Sequence, residues 1–308
     1  MPFNDSLDFA PSLAKLRGES KPFHVILSGY LRSSRTFELY ATLENLEGLP
    51  SRLLPFELVG SAGIESDSVV RDCLTELFQS LREEENFGSI MVSDPFKRIV
   101  QSFVDEISLQ AKRCGAVNVV LKRGNRLYGD NFDGQAFVSG AGQAHGLDFE
   151  GKKMLFFGCG GVSSAVATQL SGDLKRVGLV DLNERDANAL KQILQSHNSA
   201  IELEIFPAQG NRDFRDFDYF YNGTGLGKSD EKSPITSADL FNGNGIAFDA
   251  NYTPSMTPFL KHLRGLGLDS INGLSHMLMC TSMHLSAATG QTVSYATVRR
   301  AYEKMDHR

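Results

Sequence analysis

A glycine-rich turn near the middle of the chain constrains this sequence more than any other feature. Lys153-Met154-Leu155-Phe156-Phe157 reads as a buried strand, and Gly158-Cys159-Gly160-Gly161 follows it at once. Val162 to Leu170 then has the small and apolar residues of a helix. A turn this tight needs glycine where a Cβ would clash and where backbone must approach a pyrophosphate. The helix start behind it offers unpaired N–H groups and a positive dipole end to such an anion. Arg176-Val177-Gly178-Leu179-Val180 reads as a second strand ending in Asp181, at the spacing of a ribose-binding carboxylate. Glycines between strand and helix also serve plain close packing. The order strand, turn, helix, strand, acid is what points to a dinucleotide site. Ser163 replaces the third glycine of the usual fingerprint, which predicts a helix packed slightly further from its strand. Residues 1–152 precede this unit, and substrate binding is their expected role.

With 308 residues the chain is long for one core, so two domains are expected. Hydrophobic content of 41% and charged content of 22% are those of an ordinary soluble globular protein. The net charge of -6, with no basic run to offset it, argues against nucleic acid as a partner. No apolar stretch has membrane-spanning length, and Met1 to Pro22 lacks the apolar core of a signal peptide. A cytoplasmic location without membrane partners is expected; a homodimer is left open. Cys73, Cys114, Cys159 and Cys280 are scattered without CxxC spacing, so neither a zinc site nor a disulfide framework is expected. Cys159 lies in the phosphate turn, where N–H groups and a helix dipole lower a thiol pKa. Its plainer reading is a small residue suited to a tight turn.

Before the turn, strands are expected at 24–28, 54–59 and 89–92, with helices at 37–46 and from a Ser66-Asp67 cap to about Glu84. Pro95 stands at a favoured first helical position with Ser93 or Asp94 as cap. Residues 117–121 and 126–128 read as a hairpin around Arg123-Gly124-Asn125. This alternation predicts a mostly parallel open sheet. After the turn, strands are expected at 153–157, 176–180, 202–206, 218–221 and 246–249, with helices near 162–171, 183–196 and 237–241. That is a doubly wound pattern, whose ligands sit beyond the carboxyl ends of the strands. Asn222, Thr224 and Asp249 fall at such ends. Two closing helices, 273–289 and 293–305, should return to the first domain. The fold class is therefore α/β, an open substrate domain joined to a Rossmann-type domain. Residues 1–140, with helices over about 282–308, would form the first, and 141–281 the second.

Several segments matter together: Ser93-Asp94-Pro95-Phe96-Lys97, Gly115-Ala116-Val117-Asn118, Asn131-Phe132-Asp133-Gly134 and Asn222-Gly223-Thr224-Gly225-Leu226-Gly227. Asp249-Ala250-Asn251-Tyr252-Thr253-Pro254 and Asn272-Gly273-Leu274 follow in order. With the mid-chain glycine turn, this set resembles the shikimate/quinate dehydrogenase family, over residues from about 23 to the end. The resemblance implies an NAD(P)-dependent oxidoreductase acting on a cyclic polyhydroxy carboxylic acid. It also implies Lys97 and Asp133 as the catalytic pair. Oxidising a secondary alcohol needs a base for the hydroxyl proton, and a lysine is usually too basic near neutral pH. The first turn of a helix and a desolvating cleft would both disfavour the Lys97 ammonium, while Asp133 orients it. Read alone, a first-turn lysine is a solvated residue and Asp133-Gly134 an ordinary turn signal. By the same resemblance Asn118, Ser93 and Tyr252 would contact substrate. Gly158, Gly160, Gly161, Val162, Asp181, Leu182, Asn183, Arg185, Thr224, Gly225, Leu226, Ala250 and Gly273 would contact cofactor.

The chain departs from that family in places. The family's His-Ser-x-Ser-Pro run becomes Gly29-Tyr30-Leu31-Arg32-Ser33-Ser34-Arg35-Thr36, leaving Ser33, Ser34 or Thr36 to hold a carboxylate, or Arg32 and Arg35 to clamp it. Its Asn-Val-Thr becomes Met91-Val92-Ser93, and the glutamine of its penultimate helix falls at Cys280. Losing two amides from a pocket that discriminates by pairing hydroxyls suggests a modified or relaxed substrate. NADP-using members place an Asn-Arg-Thr-like run where this chain has Asp181-Leu182-Asn183-Glu184-Arg185. A carboxylate there accepts from ribose hydroxyls and repels a 2′-phosphate, so NAD is expected in preference to NADP. Asp181 is also placed to cap the next helix. Two alternatives remain: a non-catalytic nucleotide-binding sensor, and an aminoshikimate-type dehydrogenase.

Overall fold

The computed structural model describes residues 19–29, 35–58, 68–142 and 144–305. They fall into two compact units, one of residues before Asp133 together with those from Thr281 on, the other Asp133–Cys280. The sequence placed these divisions at 140/141 and 281/282.

The first unit is built on β1 (Phe23–Ser28), α1 (Thr36–Glu47), β2 (Arg52–Glu57), α2 (Ser68–Glu83) and β3 (Phe87–Val92). β4 (Glu106–Ile107), α3 (Leu109–Cys114), β5 (Val119–Arg123) and β6 (Arg126–Asp130) complete its sheet, in the order β2-β1-β3-β5-β6-β4. All six residues of β1 are buried, as suits a central strand covered on both faces. β1 runs parallel to β2 and β3, but β5 is antiparallel to both β3 and β6. The sheet is thus mixed, and parallel pairings, β4 with β6 among them, make up three of its five. Gly124, at φ +60°, permits the tight reversal that joins β5 to β6 without a crossover helix.

The expected helix from Pro95 is absent. Residues 94–98 form a turn after a cis Asp94-Pro95 peptide, and only a short 3-10 helix, Ile99–Phe103, follows. The Ser66-Asp67 cap lies outside the described residues.

The second unit opens with the four-residue α4 (Asp133–Ala136) and a π-helical turn, Phe137–Gly142. β7 (Lys153–Phe157), α5 (Gly161–Leu170), β8 (Arg176–Val180), α6 (Glu184–His197) and β9 (Glu202–Phe206) wind one half of a parallel sheet. β10 (Tyr219–Asn222), β11 (Ile246–Asp249), α7 (Pro258–Gly265) and β12 (Asp269–Ile271) wind the other, in the order β12-β11-β10-β7-β8-β9. α8 (Leu274–Thr289) crosses the division at Cys280, and α9 (Tyr295–Met305) packs on α1. The helix expected at 237–241 is a turn. Asp239 accepts from the Thr236 N–H at 2.8 Å and pairs with Arg212, both side chains almost wholly buried, so the chain is pinned before a helix can begin. No helix among the described residues is long and apolar enough to cross a membrane.

Candidate active site

In the first unit the carboxyl ends of β1 and β3 meet the segment that carries Lys97. The Gly29 N–H donates to the Asp94 carbonyl at 3.0 Å and the Ser93 N–H to the Leu27 carbonyl at 2.8 Å. A Cβ on Gly29 would lie 2.9 Å from Pro95 Cδ, so this approach depends on glycine. Lys97 is 9% exposed, and its carbonyl accepts from the Val117 N–H at 2.7 Å. Asn118 is the next residue, bonded through its carbonyl to the Val92 N–H at 2.8 Å. Backbone bonds therefore gather Ser93, Lys97 and Asn118 at one end of the sheet. Asn118 Oδ1 accepts from the Phe132 N–H at 2.8 Å, which orients its amide. Lys97 sits in a turn, not in the first turn of a helix, so no helix dipole acts on its ammonium as expected; the residue is buried. Ser33 and Arg32 lie outside the described residues. Arg35 pairs instead with Glu38 at 3.3 Å and stacks over Tyr302.

Asp133 begins α4 in the second unit and is 5% exposed. Its placement is set by two close approaches. A Cβ at Gly134 would lie 2.4 Å from the Ala165 carbonyl oxygen of α5, and one at Gly140 would lie 2.5 Å from that of Ser275 on α8. Asp133-Gly134 is therefore a helix contact, not an ordinary turn. The Asp133 carbonyl accepts from His276 Nε2 at 2.9 Å, and Oδ1 accepts from Cys280 Sγ–H at 3.6 Å. His276 escaped the sequence reading, although it stands one helical turn before Cys280.

The end of the second unit that carries the mid-chain turn is shaped by glycine. Gly158 has φ +84°, and a Cβ there would press on Thr224 at 3.0 Å. Gly160 caps α5 with no side-chain hydrogen bond, and a Cβ on it would meet nothing within 4 Å. Open space beside Gly160 at the start of α5 fits the phosphate cradle anticipated for a dinucleotide. Ser163 is accommodated opposite Gly223, where a Cβ would come within 2.1 Å of Ser163 Oγ. Asp181 Oδ2 accepts from the Cys159 N–H at 2.6 Å and Oδ1 from the Asn183 N–H at 2.8 Å. The cap of α6 is Asn183, whose side chain accepts from the Arg185 N–H at 3.1 Å, so Asp181 is left to brace the turn. Leu182 is 80% exposed.

Beyond β10, Asn222 Oδ1 accepts from the N–H and hydroxyl of Thr224, at 3.1 and 2.6 Å, which shapes the Thr224-Gly225-Leu226 loop. The Ala250 N–H donates to the Asn222 carbonyl at 2.9 Å, and a Cβ at Gly273 would lie 2.2 Å from the Ala250 oxygen. Asp249 is internal to this scaffold. It accepts from Asn222 at 2.9 Å, Thr257 at 2.6 Å and the Asn251 N–H at 2.9 Å. Burial lifts its carboxyl above the ordinary range, against the lowering pull of those bonds. Tyr252 is half-buried, three residues past β11.

A family model described as the shikimate dehydrogenase substrate binding domain matches residues 30–120. The shikimate dehydrogenase (NADP(+)) of Syntrophomonas wolfei is 31% identical over 211 residues, 67% of this chain and 72% of that protein. The chain belongs to the shikimate dehydrogenase family. The namesake enzyme of Streptococcus gordonii is 29% identical over 245 residues, 77% of this chain and 85% of its own. A structure of quinate dehydrogenase from Corynebacterium glutamicum in complex with NAD shares the fold, with TM-score 0.76 and 21% identity over 92% of this chain and 99% of that one. The expected family, fold class and class of nicotinamide-dependent dehydrogenase stand on these likenesses. The sensor reading yields to that of an enzyme.

Proposed function

We propose that this chain is an NAD-dependent dehydrogenase interconverting a secondary alcohol and a ketone on a shikimate- or quinate-like ring acid, with Lys97 and Asp133 as acid–base pair. The observation that carries this reading is the burial of both ionisable groups, an amine at 9% and a carboxyl at 5% exposure, at the two positions the resemblance assigns to catalysis. Burying charge without a task is costly. A bound nicotinamide would supply the acceptor for the hydride that leaves the alcohol carbon. Neutral Lys97 Nζ takes the hydroxyl proton as the carbon–oxygen double bond forms, and returns it in the reverse direction. Asp133 holds the reacting hydroxyl and the amine in line, and its anion favours the ammonium that results. Asn118 and Ser93 pair further ring hydroxyls. At the cofactor end, the Asp181 carboxylate accepts ribose hydroxyls and opposes a 2′-phosphate. The two shikimate dehydrogenase relatives are named for NADP(+) and the quinate dehydrogenase structure holds NAD, so this preference rests on Asp181 and Leu182.

The test is a panel of quinate, shikimate and related ring acids, each with NAD and with NADP. Lys97→Ala should abolish NAD reduction while leaving NAD binding intact; unchanged turnover overturns the acid–base assignment. Asp181→Ala should narrow the preference for NAD severalfold, and an unaltered ratio of kcat/KM values removes Asp181 from cofactor selection.

A further inference from the structure

Asp133, His276 and Cys280 offer one donor atom each, and these atoms all lie within 4.8 Å of one another. An oxygen, a nitrogen and a sulfur donor make a set that zinc-class ions bind tetrahedrally, with a fourth position left for water or another ligand. Sequence spacing conceals the set, because only His276 and Cys280 are local, four residues apart on one face of α8. Asp133 joins them through tertiary structure. The hydrogen bond from His276 Nε2 to the Asp133 carbonyl, at 2.9 Å, keeps the imidazole beside the carboxyl group. The Sγ–H of Cys280 points to Asp133 Oδ1 at 3.6 Å, so a proton now occupies the line between sulfur and oxygen that a cation would take. Rigidity favours binding as well, since the Gly134 and Gly140 contacts hold the Asp133 backbone against α5 and α8. Asp133 and His276 are buried while Cys280 is partly exposed, which gives an ion a way in past the thiol. The glutamine that the resembled family carries at this position could not supply a thiolate.

We propose that Asp133, His276 and Cys280 form a binding site for a zinc-class divalent cation. Cys280 binds as thiolate, and its proton passes to solvent. A cation so held claims the Asp133 carboxylate. Where Asp133 serves the reaction as proposed above, occupancy therefore stops turnover; binding itself does not depend on that role.

The experiment is a titration of the full chain with Co²⁺, which reports thiolate coordination by charge-transfer absorption, followed by displacement with Zn²⁺. One cobalt per chain is expected, with a thiolate band that zinc abolishes. Cys280→Ser should lose the band, Cys73→Ser should keep it, and His276→Gln, with the thiol intact, should weaken binding about tenfold or more. Absence of the band, its survival in Cys280→Ser, or unweakened binding by His276→Gln overturns the site. Zinc binding with undiminished turnover keeps the site and overturns the role of Asp133. Absent cobalt binding overturns the site and leaves that role untouched.

Discussion

The two units hold their interiors together by different means. In the second, Phe137 meets Phe149, Tyr221, Phe248 and His276 with ring centroids 5.4 to 5.8 Å apart, edge-on or tilted. The contacts with Phe149, Tyr221 and Phe248 are contact area and dispersion, insensitive to protonation. The first unit adds to its own apolar cluster a buried chain of hydrogen bonds. Tyr40 meets His284 Nδ1 at 2.5 Å, His284 Nε2 meets Ser89 Oγ at 2.7 Å, and Ser89 meets His24 Nδ1 at 2.8 Å. His24 Nε2 ends the chain on the Pro50 carbonyl at 2.8 Å. A carbonyl only accepts, so His24 Nε2 carries the proton and Nδ1 must receive one from Ser89. Ser89 then accepts from His284 Nε2–H, and the Tyr40 hydroxyl donates to Nδ1. Each proton's position follows from one carbonyl. An apolar core tolerates reshaping, whereas this polar one works in a single protonation state.

The largest expected effect is in the aromatic core. Phe137→Ala should cost about 3–5 kcal/mol, by lost transfer energy and a cavity, equally at pH 7.5 and 5.5. Native-state hydrogen exchange, which reads the units separately, checks this; a cost that depends on pH breaks the contrast. Ser89→Ala comes next, at about 2–3 kcal/mol, because it leaves two ring nitrogens unpaired in the interior.

The unsubstituted chain should show the same contrast through pH. Burial holds His24 below the ordinary histidine range, despite its bond to Pro50, and holds His284 well below it, with the charge of His24 adding to the effect. The unfolded chain then binds more protons than the folded one in acid. The stability these groups contribute is complete above about pH 6.5 and lost as pH falls toward their folded-state values, by up to about 1.4 kcal/mol per pH unit for each histidine. Exchange protection should fall in the first unit between pH 7.5 and 5.5, after correction for intrinsic exchange, and hold in the second. Equal losses in both units would remove the histidines as the cause.

What could be read from the sequence follows the same division. The parallel half was legible because its signals are local: glycine at Gly158 and Gly160, β-rich runs, an acid ending β8. Pro95 misled because serine or aspartate before proline opens turns as readily as helices. The short β4, α3 and β12 carry too few residues for a period to show, and α7 was also missed despite its Pro258 start. The histidine chain was invisible. Its partners are separated by 65, 195 and 244 residues, and no local pattern marks them. At the candidate site, Lys97, Asn118 and Asp133 were named through motif order. His276 was not, since what makes it matter is the backbone of Asp133, remote in sequence.

The smallest effect is the most discriminating. Tyr40→Phe removes one hydroxyl and keeps the ring, so it should cost about 1 kcal/mol at pH 7.5. The hydroxyl has a second acceptor, Met91 Sδ at 3.1 Å, so it can turn there and leave Tyr40 Oη to accept from a protonated His284 Nδ1. Without the hydroxyl a charged His284 ring has no such acceptor, and the deficit against the parent should widen as pH falls toward 5.5. A deficit that shrinks in acid, measured by hydrogen exchange in the first unit, would show that the hydroxyl is held as a donor to Nδ1.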